Sequence, residues 1–363
     1  MRTVRVPLPP GADRSYDIDI GPGLLARAPG EIAASNFGEA YAVVCDANTA
    51  RLFGQDFVSG LRAAGAPADM AVFPAGEASK SLREFERLLF AFKDMRLTRK
   101  GCVIALGGGV AGDLAGFAAG SYMRGVPFVQ VPTTLLAQVD SSVGGKTGVN
   151  LGRDKNYCGL FHQPRKVFID PAALSSLPER EFQSGLAEAV KYGLVADAAF
   201  FRFFEENADA ILAGDLDVLE RMVARCCEIK ADIVAADERE AGRRMILNYG
   251  HTFGHALESL LDFKETHGEC VAWGMRMAAR TAVFLGVMDS AEAVRQEALL
   301  DRLHLGRISH PPEAARILEA MKADKKASAK GAVLILPERA GAVRQVRDGA
   351  EEAVQRALNS RSA

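Results

Sequence analysis

The stretch "GCVIALGGGVAGD", residues 101–113, decides how the chain is read. A short apolar run, Cys102 to Leu106, ends in three consecutive glycines and passes into small apolar residues. That order is a buried strand, a tight turn and a helix, the opening of a strand–helix–strand unit. Gly107, Gly109 and Gly112 satisfy the G-x-G-x-x-G spacing. Glycine there permits positive φ and lets backbone N–H groups approach a diphosphate at a helix N-terminus. A plain tight turn would use the same residues, so the spacing alone does not assign a ligand. The standard dinucleotide fingerprint also wants an acid at the end of a strand about 20 residues later, and none stands there. Asp46 instead ends the earlier run YAVVCD, with Asn48 beside it. The expectation is a dinucleotide site of non-standard order, with Asp46 holding a ribose hydroxyl.

Outward from this stretch, "YAVVCDAN" (41–48) and "VPFVQVPTT" (126–134) read as further buried strands ending in turns. Between them, "SLREFERLLFAFKDM" has Phe85, Leu88, Leu89 and Phe92 at helical spacing. After "KVFIDPAALSSLPEREF" the texture changes, and "GLAEAVKYGLV", "LDVLERMVARCCEIKADIVAADE", "GHTFGHALESLL" and "ECVAWGMRMAARTAVFLGV" are all helical in period. In the second of these, Leu219, Met222, Val223, Cys226 and Ile233 form one stripe. The late run "AVLILP" (332–337) reads as an isolated strand. The expected fold is an α/β Rossmann-like domain with a mostly parallel sheet over 1–180, followed by a mainly α-helical domain over 181–363. A ligand is expected in the cleft between them.

The bulk numbers narrow the function classes. The chain has 363 residues, 48% of them hydrophobic, 25% charged, and a formal net charge of −2. Near-neutral charge without a sustained basic stripe argues against nucleic acid as a partner. The six cysteines show no CxxC pair or framework spacing, which points to reduced thiols in a cytosol. No apolar h-region or long uncharged apolar run is present, so neither an export signal nor a membrane span is expected.

"VDSSVGGKTGVN" (139–150) resembles an ATP-binding phosphate loop at first sight, but the first glycine of that motif would fall at Asp140. An aspartate there would aim negative charge into a phosphate nest. Lys146 is still placed to meet an anion, because the glycines before it bare the backbone. Of six histidines, His251, His255 and His267 fall within seventeen residues, and the first two share a helix face. Glu188 lies in the glycine-flanked "GLAEAVKYG". A glutamate and two of these histidines, with positions left open, suit a catalytic Zn²⁺-type centre; spacing does not choose which two. Arg124, Lys146, Lys155, Lys191, Lys230, Arg244 and the pair Lys325–Lys326 lie near glycines or these candidate ligands. Cations converging on a metal imply an anionic substrate.

Together the strings "ALGGGVAGDLAGFAA", "YMRG", "VPTTLLAQVDSSVGGKTGVN", "LPEREFQSGLAEAVKYG", "LNYGHTFGHALE", "HGE" and "DKK" resemble the 3-dehydroquinate synthase family, from about residue 16 to 340. The resemblance implies a two-domain cytoplasmic enzyme, commonly a homodimer, using NAD⁺ and one divalent metal, Zn²⁺ or Co²⁺. It implies cyclisation of 3-deoxy-D-arabino-heptulosonate 7-phosphate to 3-dehydroquinate with loss of phosphate, a step of the shikimate route. By that resemblance the metal ligands are Glu188, His251 and His267. NAD⁺ would contact Asp46, Asn48, Glu77, Lys80, Gly108, Gly109, Val110, Asp113, Thr133, Thr134 and the segment around Ser176. Substrate would meet Arg124, Asp140, Lys146, Lys155, Asn156, Lys191, Lys230, Arg244, Asn248, His255 and one lysine of Lys325–Lys326. Of these, Lys146, Lys191, Arg124, Asn248 and His255 would serve the chemistry with Glu240, His255 and Glu240 matching acid–base positions.

The chain departs from the commoner family pattern at Leu151–Asp154, at "NYCGLF" (156–161) and at Cys270. Competing readings are another sugar-phosphate cyclase, such as 2-epi-5-epi-valiolone or 2-deoxy-scyllo-inosose synthase, and a metal-dependent alcohol or glycerol dehydrogenase of related fold. Arg244, Lys230 and the DKK lysines favour a substrate bearing a carboxylate.

Overall fold

The computed structural model describes residues 14–152, 154–240, 242–262, 264–327 and 333–360, with the backbone alone for 323–327. Six parallel strands form the main sheet: β1 (Asp17–Ile20), β2 (Tyr41–Asp46), β3 (Ala68–Phe73), β4 (Cys102–Gly107), β5 (Phe128–Pro132) and, later in the chain, β8 (Lys166–Ile169), in the order β1-β8-β5-β4-β2-β3. Strands β2, β4 and β5 are buried along nearly their whole length because helices cover both faces. This is why they read as unbroken apolar runs and not as alternation. The covering helices of this half are α1 (Leu24–Ser35), the single turn α2 (Ala47–Thr49), α3 (Gln55–Ala63), α4 (Leu82–Asp94) and α5 (Gly109–Ser121). Leu88 and Phe92 of α4 are buried, with Phe85 and Leu89 packed partly against the same cluster.

Between β5 and β8 the chain leaves the sheet as an antiparallel hairpin, β6 (Lys146–Leu151) and β7 (Asp154–Phe161), which lies against α5. Sequence reading missed this hairpin. Its strands are only partly buried and carry Lys, Thr, Asn and Asp among their apolar residues, so they show little of the apolar periodicity that announces a strand.

From Glu179 onward the described chain is mainly helical: α6 (Glu179–Val195), α7 (Ala198–Leu212), α8 (Leu216–Ala236), α9 (His251–Leu260), α10 (His267–Phe284), α11 (Ser290–Arg302), α12 (Ala314–Ala327) and α13 (Glu351–Asn359). The stripe Leu219, Met222, Val223, Cys226 and Ile233 on α8 is buried as its spacing predicts. The run expected as an isolated strand is not isolated. Residues Leu334–Arg339 (β9) pair antiparallel with β10 (Ala342–Val346), which is polar on its exposed positions and gave little apolar signal.

Helices α9 and α10 meet at unusually short range, and glycine makes this possible. A Cβ on Gly274 would stand 2.0 Å from the Gly250 carbonyl oxygen, and one on Gly268 would stand 2.0 Å from the Ser184 carbonyl oxygen of α6. The start of α9 therefore meets the middle of α10 backbone to backbone, and the start of α10 meets α6 in the same way. Those contacts bring the N-terminal residues His251 and His267 beside the buried middle of α6.

Gly274→Ala is expected to lower unfolding stability by the upper part of the about 1–3 kcal/mol that overpacking costs, since backbone must move. A urea titration reads this as a lower midpoint; an unchanged midpoint would show that α9 and α10 are not locked through these glycines.

Candidate active site

The glycine turn and Asp46 meet because of sheet order. After β3 the chain crosses back over β2 to begin β4, so β2 and β4 are neighbours in register, Val44 opposite Ala105. The crevice beyond their carboxyl ends is the topological switch point at which open α/β sheets bind ligands. A Cβ on Gly107 would lie 3.8 Å from Asp46 Oδ2, so the acid does stand over the turn although it precedes it in sequence. Its carboxylate is also in local use. Asp46 Oδ1 accepts from the backbone N–H groups of Asn48 (2.7 Å) and Thr49 (3.1 Å), and Oδ2 accepts from the Thr49 hydroxyl (3.0 Å). Asp46 thus caps the turn carrying Asn48, and a ribose hydroxyl placed there would share its carboxylate with that cap.

Gly108 stands at the N-cap of α5, and Gly109 and Val110 form its first turn. The backbone N–H of Thr133 donates to the Gly107 carbonyl (2.9 Å), and the Thr134 hydroxyl accepts from Ala137 N–H (3.2 Å), which holds the "PTT" loop against the turn. One turn into α5, Asp113 pairs with the buried Lys80 at 2.5 Å. Burial pushes the Asp113 carboxyl up, with Lys80 drawing it back down. Asn150 was not singled out from sequence, yet it ties this region together. Its amide donates to Glu77 Oε1 (2.8 Å), its N–H donates to the Lys80 carbonyl (2.8 Å), and its Oδ1 accepts from Asn156 N–H (2.9 Å). Ser176 turns its hydroxyl to the Ala173 carbonyl at 2.8 Å.

A second cluster lies between the hairpin and the helices. Glu188 on α6 is fully buried, with Oε1 3.7 Å from His251 Nε2 and 3.7 Å from His267 Nε2. Its other oxygen pairs with the buried Lys191. Oε1 has no hydrogen-bond partner among the described residues, an expensive state for a buried carboxylate oxygen. The three imidazoles of His251, His255 and His267 bring ligating atoms within 4.8 Å of one another. His251 Nδ1 lies 3.1 Å from the Tyr249 carbonyl, so it is the protonated nitrogen and Nε2 is left to face Glu188. Burial, with Lys191 beside it, holds the His251 imidazole well below its ordinary range and so neutral. Burial would lower His267 too, but Glu258 and Glu188 raise it. Two neutral-capable imidazoles and an unsatisfied carboxylate oxygen form a donor set of the kind a divalent cation requires.

Four of the expected cations, Lys146, Lys155, Lys191 and Lys230, each stand beside an acid. Lys230 donates to Asp140 Oδ1 (2.7 Å) and to the Asp140 carbonyl (2.6 Å), while the buried Tyr192 hydroxyl donates to the same Oδ1 at 2.7 Å. Burial would raise the Asp140 carboxyl, but Lys230 and Lys191 hold it well below the usual carboxylate range. Lys146 pairs with Glu240, whose other oxygen accepts from Asn248 Nδ2 at 3.0 Å. Gly144 and Gly145 both have positive φ (96° and 66°), and a Cβ on Gly144 would stand 2.7 Å from Arg244 Nη2. Gly144 therefore admits the buried Arg244 guanidinium, which donates from Nη1 to the Glu238 carbonyl at 2.7 Å. Lys155 pairs with Glu258 at 2.6 Å.

Both halves of the chain match the family described as 3-dehydroquinate synthase, the N-terminal model over residues 70–184 and the C-terminal one over 185–327. The 3-dehydroquinate synthase of Rhodospirillum rubrum is 50% identical over 322 residues, 86% of this chain and 84% of that relative. The chain belongs to the 3-dehydroquinate synthase family. The synthase of Desulforamulus reducens is 45% identical over 94% of this chain and 95% of its own. Among solved structures, 2-epi-5-epi-valiolone synthase from Streptomyces hygroscopicus subsp. jinggangensis, with NAD⁺ and Zn²⁺ bound, superposes with a TM-score of 0.90 at 27% identity over 99% of each chain. A 2-deoxy-scyllo-inosose synthase in complex with carbaglucose-6-phosphate, NAD⁺ and Co²⁺ gives 0.85 at 27% identity over 94% and 96%.

Not every position that family resemblance singles out joins these contacts. Arg124 is exposed on the turn after α5, at φ 69°, and makes no hydrogen bond or ion pair among the described residues. Lys325 and Lys326 lie on α12, and their side chains are outside the described residues. Conversely, sequence reading passed over Tyr192 and Glu258. Periodicity could have found both: Tyr192 is four residues from Glu188 on α6, and Glu258 is seven from His251 on α9, each on the same helix face as a candidate ligand. Cys270 is buried, and burial pushes its thiol up to about 12, as suits a packed thiol.

Five of the six cysteines are buried and Cys158 alone is partly exposed. An aromatic disulfide reagent at mildly alkaline pH is expected to titrate about one thiol per folded chain and all six after denaturation. Rapid labelling of Cys270, located by mass spectrometry, would contradict its inert environment.

Proposed function

We propose that the chain is a phosphate-eliminating cyclase, converting 3-deoxy-D-arabino-heptulosonate 7-phosphate to 3-dehydroquinate and phosphate with NAD⁺ and one divalent cation. The observation that carries this reading is the Glu188 oxygen left unsatisfied between two imidazole Nε2 atoms, with lysines and an arginine gathered around it. Glu188, His251 and His267 would hold the cation, which supplies Lewis acidity toward the substrate's vicinal hydroxyls when bound. The crevice beyond β2 and β4 would hold the dinucleotide, with diphosphate at Gly108, Gly109 and Val110, a ribose on Asp46 and Asn48, and Glu77, Lys80, Asp113, Thr133, Thr134 and Ser176 around it. NAD⁺, when bound, supplies reversible hydride acceptance, so that phosphate can leave beside a transient ketone without net redox.

The residues of the chain do the rest. Lys146, Lys155, Lys191, Lys230 and Arg244 supply positive charge for the phosphate and carboxylate, as Asp140 and Asn156 orient hydroxyl groups. Arg124 and a lysine of the Lys325–Lys326 pair belong to the same assignment. His255 is the exposed imidazole of the cluster and can carry a proton to or from substrate. Glu240 is held by Asn248 and Lys146 and can do the same on the other side. Substrate phosphate, oriented by these cations, is itself a proton acceptor. Division into two domains near residue 180, assembly as a homodimer and residence in the cytoplasm are parts of this proposal. The six free cysteines suit a reducing compartment, and among the described residues no helix is long and apolar enough to cross a membrane.

The deciding assay is phosphate release from the heptulosonate phosphate, set against sedoheptulose 7-phosphate and glucose 6-phosphate. Preference for either of the latter would move the chain to another cyclase specificity, and accumulation of free NADH would move it to net dehydrogenation. Lys146→Ala is expected to reduce phosphate release by at least about 100-fold while circular dichroism stays native. A chelator is expected to abolish turnover, and Zn²⁺ or Co²⁺ to restore it; indifference to chelation would refute the metal assignment.

A further inference from the structure

The carboxylate of Glu258 stands where the candidate metal set and the anion-binding hairpin touch. It is 4% exposed, and its partners among the described residues are two functional groups from different elements. Lys155 of β7 meets Oε1 at 2.6 Å, and His267 Nδ1 at the start of α10 lies 3.6 Å from Oε2. A buried carboxylate requires such partners. Its position is set by α9, where His251, His255 and Glu258 recur at spacings of four and three along one face.

We propose that Glu258 is a positioning residue that sets the orientation of His267 and is shared with Lys155, so that anion binding and cation binding reinforce each other. The inference rests on the metal reading given above. With Nδ1 of His267 turned to Glu258, Nε2 is the atom presented to Glu188, at 3.7 Å. A carboxylate behind a ligating imidazole fixes the ring and strengthens it as a donor. Lys155 draws on that same carboxylate and so weakens this effect. When a substrate anion takes up the Lys155 ammonium, which is 30% exposed, the charge of Glu258 is left to His267. By linkage, a cation on His267 then favours release of Lys155 to the anion. One carboxylate thereby couples two binding events that occur on different parts of the fold.

The test uses the full-length, metal-stripped protein with Zn²⁺ as probe and a chromophoric chelator as competitor. Glu258→Gln is expected to weaken Zn²⁺ binding by about 10–100-fold, and Co²⁺ loading should give a shifted visible spectrum, which loss of packing alone would not produce. Lys155→Met is expected to tighten Zn²⁺ binding several-fold in the native background and to have little effect when Glu258→Gln is already present. Lys155→Met can be read even if Glu258→Gln fails to fold, and unchanged Zn²⁺ affinity in that variant overturns the proposal. Equal tightening in both backgrounds also overturns it, since direct repulsion between Lys155 and the cation would then account for the effect. Zn²⁺ binding that is strong yet indifferent to Glu258→Gln defeats the positioning role and leaves the metal assignment standing. Failure of the unaltered protein to take up Zn²⁺ defeats both.

Discussion

A carboxylate removed from water must be satisfied, and the architecture around Glu188 follows from that constraint. One oxygen is neutralised by Lys191, one turn further along the same helix, and the other is left between two imidazole nitrogens without a hydrogen-bond donor. Such an arrangement costs stability unless a positive ligand completes it. The backbone contacts through Gly268 and Gly274 hold the three helices close enough for that incompleteness to exist at all. Side chains at those positions would push α9 and α10 away from α6 and leave Glu188 with nothing to share.

Outside this centre four lysines follow one electrostatic pattern. Lys80, Lys146, Lys155 and Lys230 each rest on an acid: Asp113, Glu240, Glu258 and Asp140. The positive groups are therefore ordered by their acidic partners. The pairs differ in how far they are withdrawn from water. Lys146 remains half exposed, whereas Lys230 is nearly enclosed.

Much of this was legible in the chain itself. The buried strands YAVVCD and CVIALG announce themselves because both faces are covered, and the helix stripe on 216–236 because one face is. His251, His255 and His267 could be grouped because histidine is scarce and these three are clustered, and Glu188 joined them through its glycine-flanked string and the family resemblance. The hairpin 146–161 was not legible, since its polar residues and half-exposed positions break the period-2 pattern. Strand 342–346 escaped for a similar reason, being largely polar and stabilised by its partner β9.

Sequence by itself determined local matters: which segments are strands or helices, where glycine opens the backbone, and which residue types are available for ligation and charge. These depend on neighbours within a few positions, so periodicity records them. Tertiary structure decided which oxygen of Glu188 is left unsatisfied, that Asp46 caps its own turn while standing over Gly107, and that Glu258 is shared between Lys155 and His267. Each of those facts joins groups far apart in the chain, or sets local use against distant use of one carboxylate. Their energies depend on distance and burial in space, which no spacing along the chain encodes.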